Sequence, residues 1–396
     1  MHAQSVAPVR VSVSSGDSGK VVRDGTHRVR RAEETWEWIR PLLPRCGITR
    51  VAEVTWLDEI GIPVFQAIRP NARTLSVSQG KGISRMLARV SAAMEAVELW
   101  HAEHPVLPAV TGTVEDIEHT LGYPLDALDL APRYCLGPDC RLDWYPASRI
   151  YAPGTSFLPV PLLRLDFCVD GRWAPSSFRA TSNGLASGNV LDEALLHGMY
   201  EVIERDASAR ARRYGTGRPV DLSSVDDPSA GMLLERYKAA GIHVQVRLLP
   251  SPFGVPTFDA VIKSSVFPVP CVGIGTHLDP GVALCRALSE AAQSRATAIA
   301  GARDDIGVTA YREARLVSEN RSPSAVPTSP PADSPVDFTT ITSAALQDLN
   351  QETVHMARRI ASVTGFEPLY IDLSRPELGI PVVHVVCPGA LPDTSH

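Results

Sequence analysis

The sequence predicts an α/β (α+β) protein in which mixed sheets pack against helices. Short runs rich in Val and Ile, at residues 51–55, 64–68 and 382–386, read as strands, while long Ala-, Leu-, Met- and Glu-rich stretches read as helices. The two kinds of element follow each other in mixed order, which points to these classes. A length of 396 residues suits one large domain or two closely packed halves, and 44% hydrophobic with 21% charged residues is ordinary for a globular chain.

Residues 1–22 read as a mobile N-terminal arm, Ser- and Val-rich and without the apolar core of a signal peptide. Residues 30–43 place Trp36, Trp38, Ile39, Leu42 and Leu43 along a helix that Pro44 and the Cys46-Gly47 turn stop. Strands at 51–55 and 64–68 flank a Gly61-Ile62-Pro63 turn, and a glycine-punctuated turn, Ser78 to Gly82, leads into a long helix capped by Ser84. Residues 105–161 are rich in Pro, Gly and Asp and read as connecting structure with short strands. A loop from Asn183 to Asn189 then enters a helix from Asp192 to about Arg212, in which Gly198 is a local weak point. Residues 272–277 end a strand before a helix at 283–300, and residues 322–335, with five prolines, form a loop or linker. A helix at 346–364 and strands at 368–372 and 382–386 complete a domain spanning 23–396.

Composition excludes several classes. A net charge of −6 argues against nucleic-acid binding, and the Arg210, Arg212, Arg213 cluster reads as a solvated helix face. No apolar run approaches the roughly 20 residues that cross a bilayer. The seven cysteines are odd in number and form no C-x-x-C pair, which fits scattered reduced thiols in a cytoplasmic protein.

The chemistry lies in an acidic pattern that appears twice. Glu95 and Glu98 are three apart on one predicted helix, and Glu201 and Glu204 on another. At that spacing both carboxylates project from nearly the same helix face. Glu193 extends the second stripe, Ser91 shares the face of Glu95, and a third helix carries Glu290 and Gln293, again three apart. One pair alone would suit a solvated face equally well. Three helices with the same interval favour a shared site for Mg²⁺, which takes hard oxygen ligands together with phosphate oxygens and waters. The Gly80-Lys81-Gly82 turn lacks P-loop spacing, although its lysine before a helix start could meet phosphate. Arg205 and Arg295 follow the acidic groups and suit charge neutralisation during phosphoryl transfer, or else ordinary salt bridges. His197, His277 and His384 are isolated and read as structural.

Three segments, SVSQGKGISRMLARVSAAMEAVE, GLASGNVLDEALLHGMYEVIERDA and GIGTHLDPGVALCRALSEAAQSR, resemble in order the signature regions of YcaO-domain proteins. The resemblance runs from about Gly25 to Gly389 and implies an ATP-binding fold without a P-loop, with Mg²⁺ held by glutamates. It implies peptide backbone activation, in which ATP phosphorylates an amide oxygen and a nucleophile displaces the phosphate. By resemblance Glu95, Glu98, Glu201 and Glu204 are the metal ligands. Ser91, Asn189 and Glu193 are nucleotide contacts, as is Arg205, which is also expected in catalysis. Glu290, Gln293 and Arg295 neighbour phosphate and metal, and Arg28 with Thr35 matches an N-terminal nucleotide-contacting pair.

The stretch GITRVAEVTWLDEIGIPVFQAIRPNARTLSVSQGKG and the VVCPG ending resemble members that work beside a TfuA-type partner and install thioamides. The tail lacks the Pro-x-Pro-x-Pro ending of many azoline-forming members, and no leader-capturing domain is expected within 396 residues. The resemblance therefore implies a precursor peptide as substrate, with thioamidation favoured over azoline formation, and a homodimer. A protein that binds ATP but only assists another modifying enzyme is the rival reading.

Overall fold

In the computed structural model, described residues are 19–21, 25–132, 136–168, 176–215, 217–264, 266–267, 270–302 and 334–392. Most of the expected arm and the loop residues 322–333 lie outside them. Lys20, within the arm span, is buried with its ammonium 2.7 Å from Glu352, so the chain is anchored ahead of residue 22.

Helix α1 (Ala32–Ile39) continues as a 3-10 turn, Arg40–Cys46, because Pro41 and Pro44 remove N–H donors from a longer α-helix. Strands β1 (Arg50–Glu53), β2 (Val64–Ile68) and β3 (Val77–Lys81) form an antiparallel three-stranded sheet. β1 stops short of residue 55 because Thr55 turns inward and its hydroxyl accepts the Val64 N–H at 3.1 Å. Gly80 and Lys81 therefore belong to a strand rather than a turn. A Cβ on Gly80 would collide with the backbone of Ala88 and Ala92, so this glycine lets the following helix α2 (Arg85–Glu103) lie flat on the sheet. Ser84 caps α2 by accepting the Leu87 N–H at 3.2 Å.

A six-stranded sheet holds β4 (Val110–Thr113), β5 (Arg141–Arg149), β13 (Leu369–Asp372), β14 (Val382–Val386) and β7 (Leu185–Ser187) in that order, with β6 (Thr155–Pro159) beside β5. Short helices α3 (Val114–Leu121) and α4 (Val160–Leu163) pack at its β5–β6 end. Val382 packs with α2, whereas Val383 and Val385 pack with α5 (Leu191–Tyr214), so the two acidic helices cover opposite faces of β14. Gly198 is the seat of that contact, since a Cβ there would lie 2.7 Å from Val385 Cγ2.

The stretch between α5 and residue 272, which sequence patterning leaves unassigned, folds as β8 (Arg218–Asp221), α6 (Pro228–Ala239), β9 (His243–Leu248) and β10 (Thr257–Lys263). With β11 (Cys271–Thr276) and the short β12 (Val336–Asp337) these strands make a five-stranded sheet in the order β11-β10-β9-β8-β12. α7 (Pro280–Ala300) lies on it, and α8 (Leu349–Thr364) packs on α5. α7 begins three residues earlier than the sequence suggests, because Asp279 caps it and Pro280 occupies its first position.

Candidate active site between three helices

α2, α5 and α7 bring their polar faces together. On α5, Glu193, His197, Glu201 and Glu204 follow at intervals of four, four and three and share one face. On α7, Arg286 and Glu290 are four apart and face the same region. Lys81, at the end of β3, forms an ion pair with Glu290, whose other oxygen accepts the Ile274 N–H at 3.4 Å. Arg205 lies 3.8 Å from Glu201.

Electrostatics shows that these carboxylates sense one another. Glu98 is pushed up to about 8, chiefly by burial and also by the charges of Glu95 and Glu201, with hydrogen bonds from Ser187 opposing them. Burial raises Glu201, and Glu290 adds to the effect against Arg205, Arg286 and Lys81. Glu204 is raised by burial and then by Glu290. Burial acts upward on Glu290 as well, but the charge and hydrogen bond of Lys81 hold it below the ordinary carboxylate value. Among the described residues no three His, Cys, Asp or Glu side chains converge closely enough for one ion. Glu95, Glu98, Glu201, Glu204 and Glu290 instead act on one another across the three helices and outnumber the cations Lys81, Arg205 and Arg286 that act on them. That fits Mg²⁺ ions, each taking one or two carboxylates and completing its shell with phosphate oxygens and water.

Glu193 is buried, and the chain itself consumes both its oxygens. One accepts the Val29 N–H at 2.7 Å, and the other accepts Asn189 N–H and Nδ2–H at 2.8 and 2.9 Å. Asn189 Oδ1 in turn accepts the Thr35 hydroxyl at 2.7 Å. Thr35, Asn189 and Glu193 thus form a network that fixes Arg28 beside the site. The half-buried Ser91 and Gln293 lie one turn from Glu95 and Glu290 respectively.

Arg295 is not brought to the glutamates. It points away on α7, buried against Asp58 at 2.9 Å and Ser264 at 2.9 Å. The five-residue step from Glu290 places it on another side of the helix. Conversely, His197 is no isolated structural histidine. Burial and the charges of Arg286, Arg28 and Lys81 hold it well below its ordinary value, so it is neutral within a cationic wall. The i, i+4 step from Glu193 to His197, and the same step from Arg286 to Glu290, were the signals available in the sequence.

Two cavities flank the α5 stripe. One is lined by Lys20, Arg28, Glu193, His197, His277 and Arg286. The other is lined by Glu201 and Arg205 together with Asp129, Arg179, Asn183 and the C-terminal turn at Leu391.

The family signature described as YcaO cyclodehydratase, ATP- and Mg²⁺-binding, matches residues 79–391. The chain belongs to the YcaO family. ATP and Mg²⁺ are accordingly its cofactors, in a mixed α/β fold without a P-loop. It is 37% identical over 376 residues to an uncharacterised Methanothermobacter thermautotrophicus protein, covering 91% of this chain and 94% of the relative. It is 35% identical over 392 residues to a Rhizobium leguminosarum bv. trifolii protein described as uncharacterised, in the tfuA 3′ region, covering 94% and 91% respectively.

YcaO from Methanopyrus kandleri, solved with AMPPCP and Mg²⁺, superposes with a TM-score of 0.71 at 24% identity, covering 94% of each chain. A heterocyclase solved with substrate and cofactor gives 0.77 at 22% identity, covering 96% of this chain and 54% of the other. At those identities the likeness speaks for the fold alone.

Proposed function

We propose that this YcaO protein uses ATP and Mg²⁺ to modify a backbone amide of a ribosomally made precursor peptide, installing a thioamide. The observation that carries the reading is the position of the α5 acidic stripe between two cavities, one walled by cations and one open beside Arg205. Bound there, Mg²⁺ would screen the triphosphate, and ATP would supply the phosphoryl group that lets the amide oxygen leave as phosphate when sulfide takes its place. Glu95, Glu98, Glu201 and Glu204 are the residues to hold the ions. Arg28, Lys81 and Arg286 line the phosphate side, with His197 neutral among them. Glu193, Asn189 and Thr35 act as positioning residues for Arg28. Arg205, between the stripe and the open cleft, is placed to stabilise negative charge developing at the amide.

Thioamidation is favoured by the Rhizobium relative from the tfuA 3′ region, which also suggests a TfuA-like partner. A second reading, azoline formation, is favoured by the cyclodehydratase description of the family. Among the described residues no helix is long and apolar enough to cross a membrane, and the described cysteines are free thiols. The free thiols favour a reducing, cytoplasmic setting, and the homodimer rests on the family resemblance alone. Incubating the protein with Mg²⁺-ATP, sulfide and a candidate precursor peptide tests the reading. ADP release with oxygen replaced by sulfur supports it, loss of one water supports azoline formation, and nucleotide binding without turnover leaves an accessory role.

A further inference from the structure

Resting on the peptide-modifying reading, we propose that Asn183 and Arg179 form a clamp for the backbone of an extended peptide, on the outer side of Arg205. Both residues line the open cleft that also contains Glu201 and Arg205. Asn183 Oδ1 and Arg179 Nε are shielded from solvent and have no hydrogen-bond partner. Buried polar atoms are seldom left unpaired, because each forfeits its bonds to water without replacement. The two are of opposite sense, an acceptor and a donor, as one side of a peptide backbone requires, and because neither is bonded, turning these side chains towards a peptide in the cleft breaks no hydrogen bond of theirs.

Each member is held in place by a neighbour. Arg179 Nε lies 3.7 Å from Asp129 Oδ1, close enough for charge to orient the guanidinium but too far to use its N–H. The Asn183 backbone carbonyl lies 3.0 Å from His384 Nε2, and a carbonyl can only accept, so Nε2 carries the hydrogen. Burial drives His384 down to about 4, which keeps the ring neutral and leaves Nδ1 as a further unpaired acceptor in the same wall. Of the unpaired buried atoms in this wall, Asn183 Oδ1 and His384 Nδ1 accept and Arg179 Nε donates, a set suited to a ligand that offers both N–H and C=O groups, as a peptide backbone does. Leu128, Leu162 and Val202 supply apolar surface for side chains between those groups.

The test titrates the full chain with acetyl-tetraalanine amide and with its counterpart methylated at every backbone nitrogen, with and without Mg²⁺ and β,γ-methylene-ATP. The clamp predicts at least about tenfold weaker binding of the methylated peptide, the equivalent of one or two lost hydrogen bonds. Asn183→Leu and Arg179→Leu should each weaken the unmethylated peptide by about fivefold or more while nucleotide affinity stays unchanged, which also reports on folding. Equal affinity for the two peptides, or no binding of the unmethylated one by a protein that binds nucleotide, overturns the clamp. Loss of nucleotide binding by the wild-type protein sinks the proposed function instead, and the nucleotide-free titration still decides the clamp.

Discussion

Ser187 donates two hydrogen bonds to a single oxygen of Glu98, from its backbone N–H at 2.8 Å and from its hydroxyl at 2.6 Å. The start of the loop into α5 thereby orients a carboxylate on α2, leaving the other Glu98 oxygen for the shared space. Ser187→Ala removes the hydroxyl bond only. Affinity for Mg²⁺-nucleotide should fall about fivefold, corresponding to about 1 kcal/mol, as measured by calorimetric titration.

Glu98 also sets a pH dependence. Its ordinary value is 4.5 and burial pushes it to about 8, so across that window the folded state binds more protons than the unfolded chain. Stability of the metal-free protein should therefore fall as pH rises from about 5 to about 8. Mg²⁺ requires the carboxylate, so its affinity should rise over the same interval with release of protons. Thermal unfolding at stepped pH, with and without Mg²⁺-nucleotide, checks both signs. A flat profile would mean that burial does not raise Glu98 in the folded protein.

Glu201→Gln keeps shape and loses charge in the middle of the stripe. Mg²⁺-dependent nucleotide affinity should drop at least about tenfold, while burial of a neutral amide in place of a strained carboxylate leaves stability equal or higher. Unchanged Mg²⁺ dependence would return the acidic helices to a purely structural role.

Asp58→Asn should behave in the opposite way. It removes the charge paired with Arg295 in a site where the pair is 3% and 5% exposed and leaves only Glu59 at 3.6 Å, so the loss should approach the cost of a broken buried pair, about 3–5 kcal/mol. Denaturant unfolding should show that loss, with nucleotide affinity intact wherever the protein remains folded.

Gly80→Ala is predicted to displace α2 from its sheet and to cost upwards of about 3 kcal/mol, whereas Lys81→Met, one residue on, should fold and lose nucleotide affinity. Soluble expression and nucleotide titration of the two variants separate the packing role from the charge role.

The acidic spacing on α2 and α5 was legible because periodicity alone decides which residues share a face. The strand nature of Gly80-Lys81 was not, since a glycine pair looks like a turn until the helix lying on it is known. Spacing alone placed Glu193 on the stripe, and only the family resemblance made it a nucleotide contact, whereas its partners Val29 and Asn189 are set by tertiary structure. The same limit applies to Arg295, whose partner Asp58 lies 237 residues away in sequence. The β8–α6–β9–β10 segment went unassigned because β8 and β9 are half-buried with weak alternation, and β10 is buried on both faces and so shows none.

Lys20 is paired with Glu352, 332 residues away, and the same carboxylate accepts the Leu346 N–H at 2.6 Å and the Tyr200 hydroxyl at 3.0 Å. One wall of the cation-lined cavity therefore joins the two ends of the polypeptide. During synthesis that wall cannot close until α8 has emerged from the ribosome. Nascent chains should thus be unable to capture nucleotide, and truncation at either end should abolish the cavity even with every glutamate present.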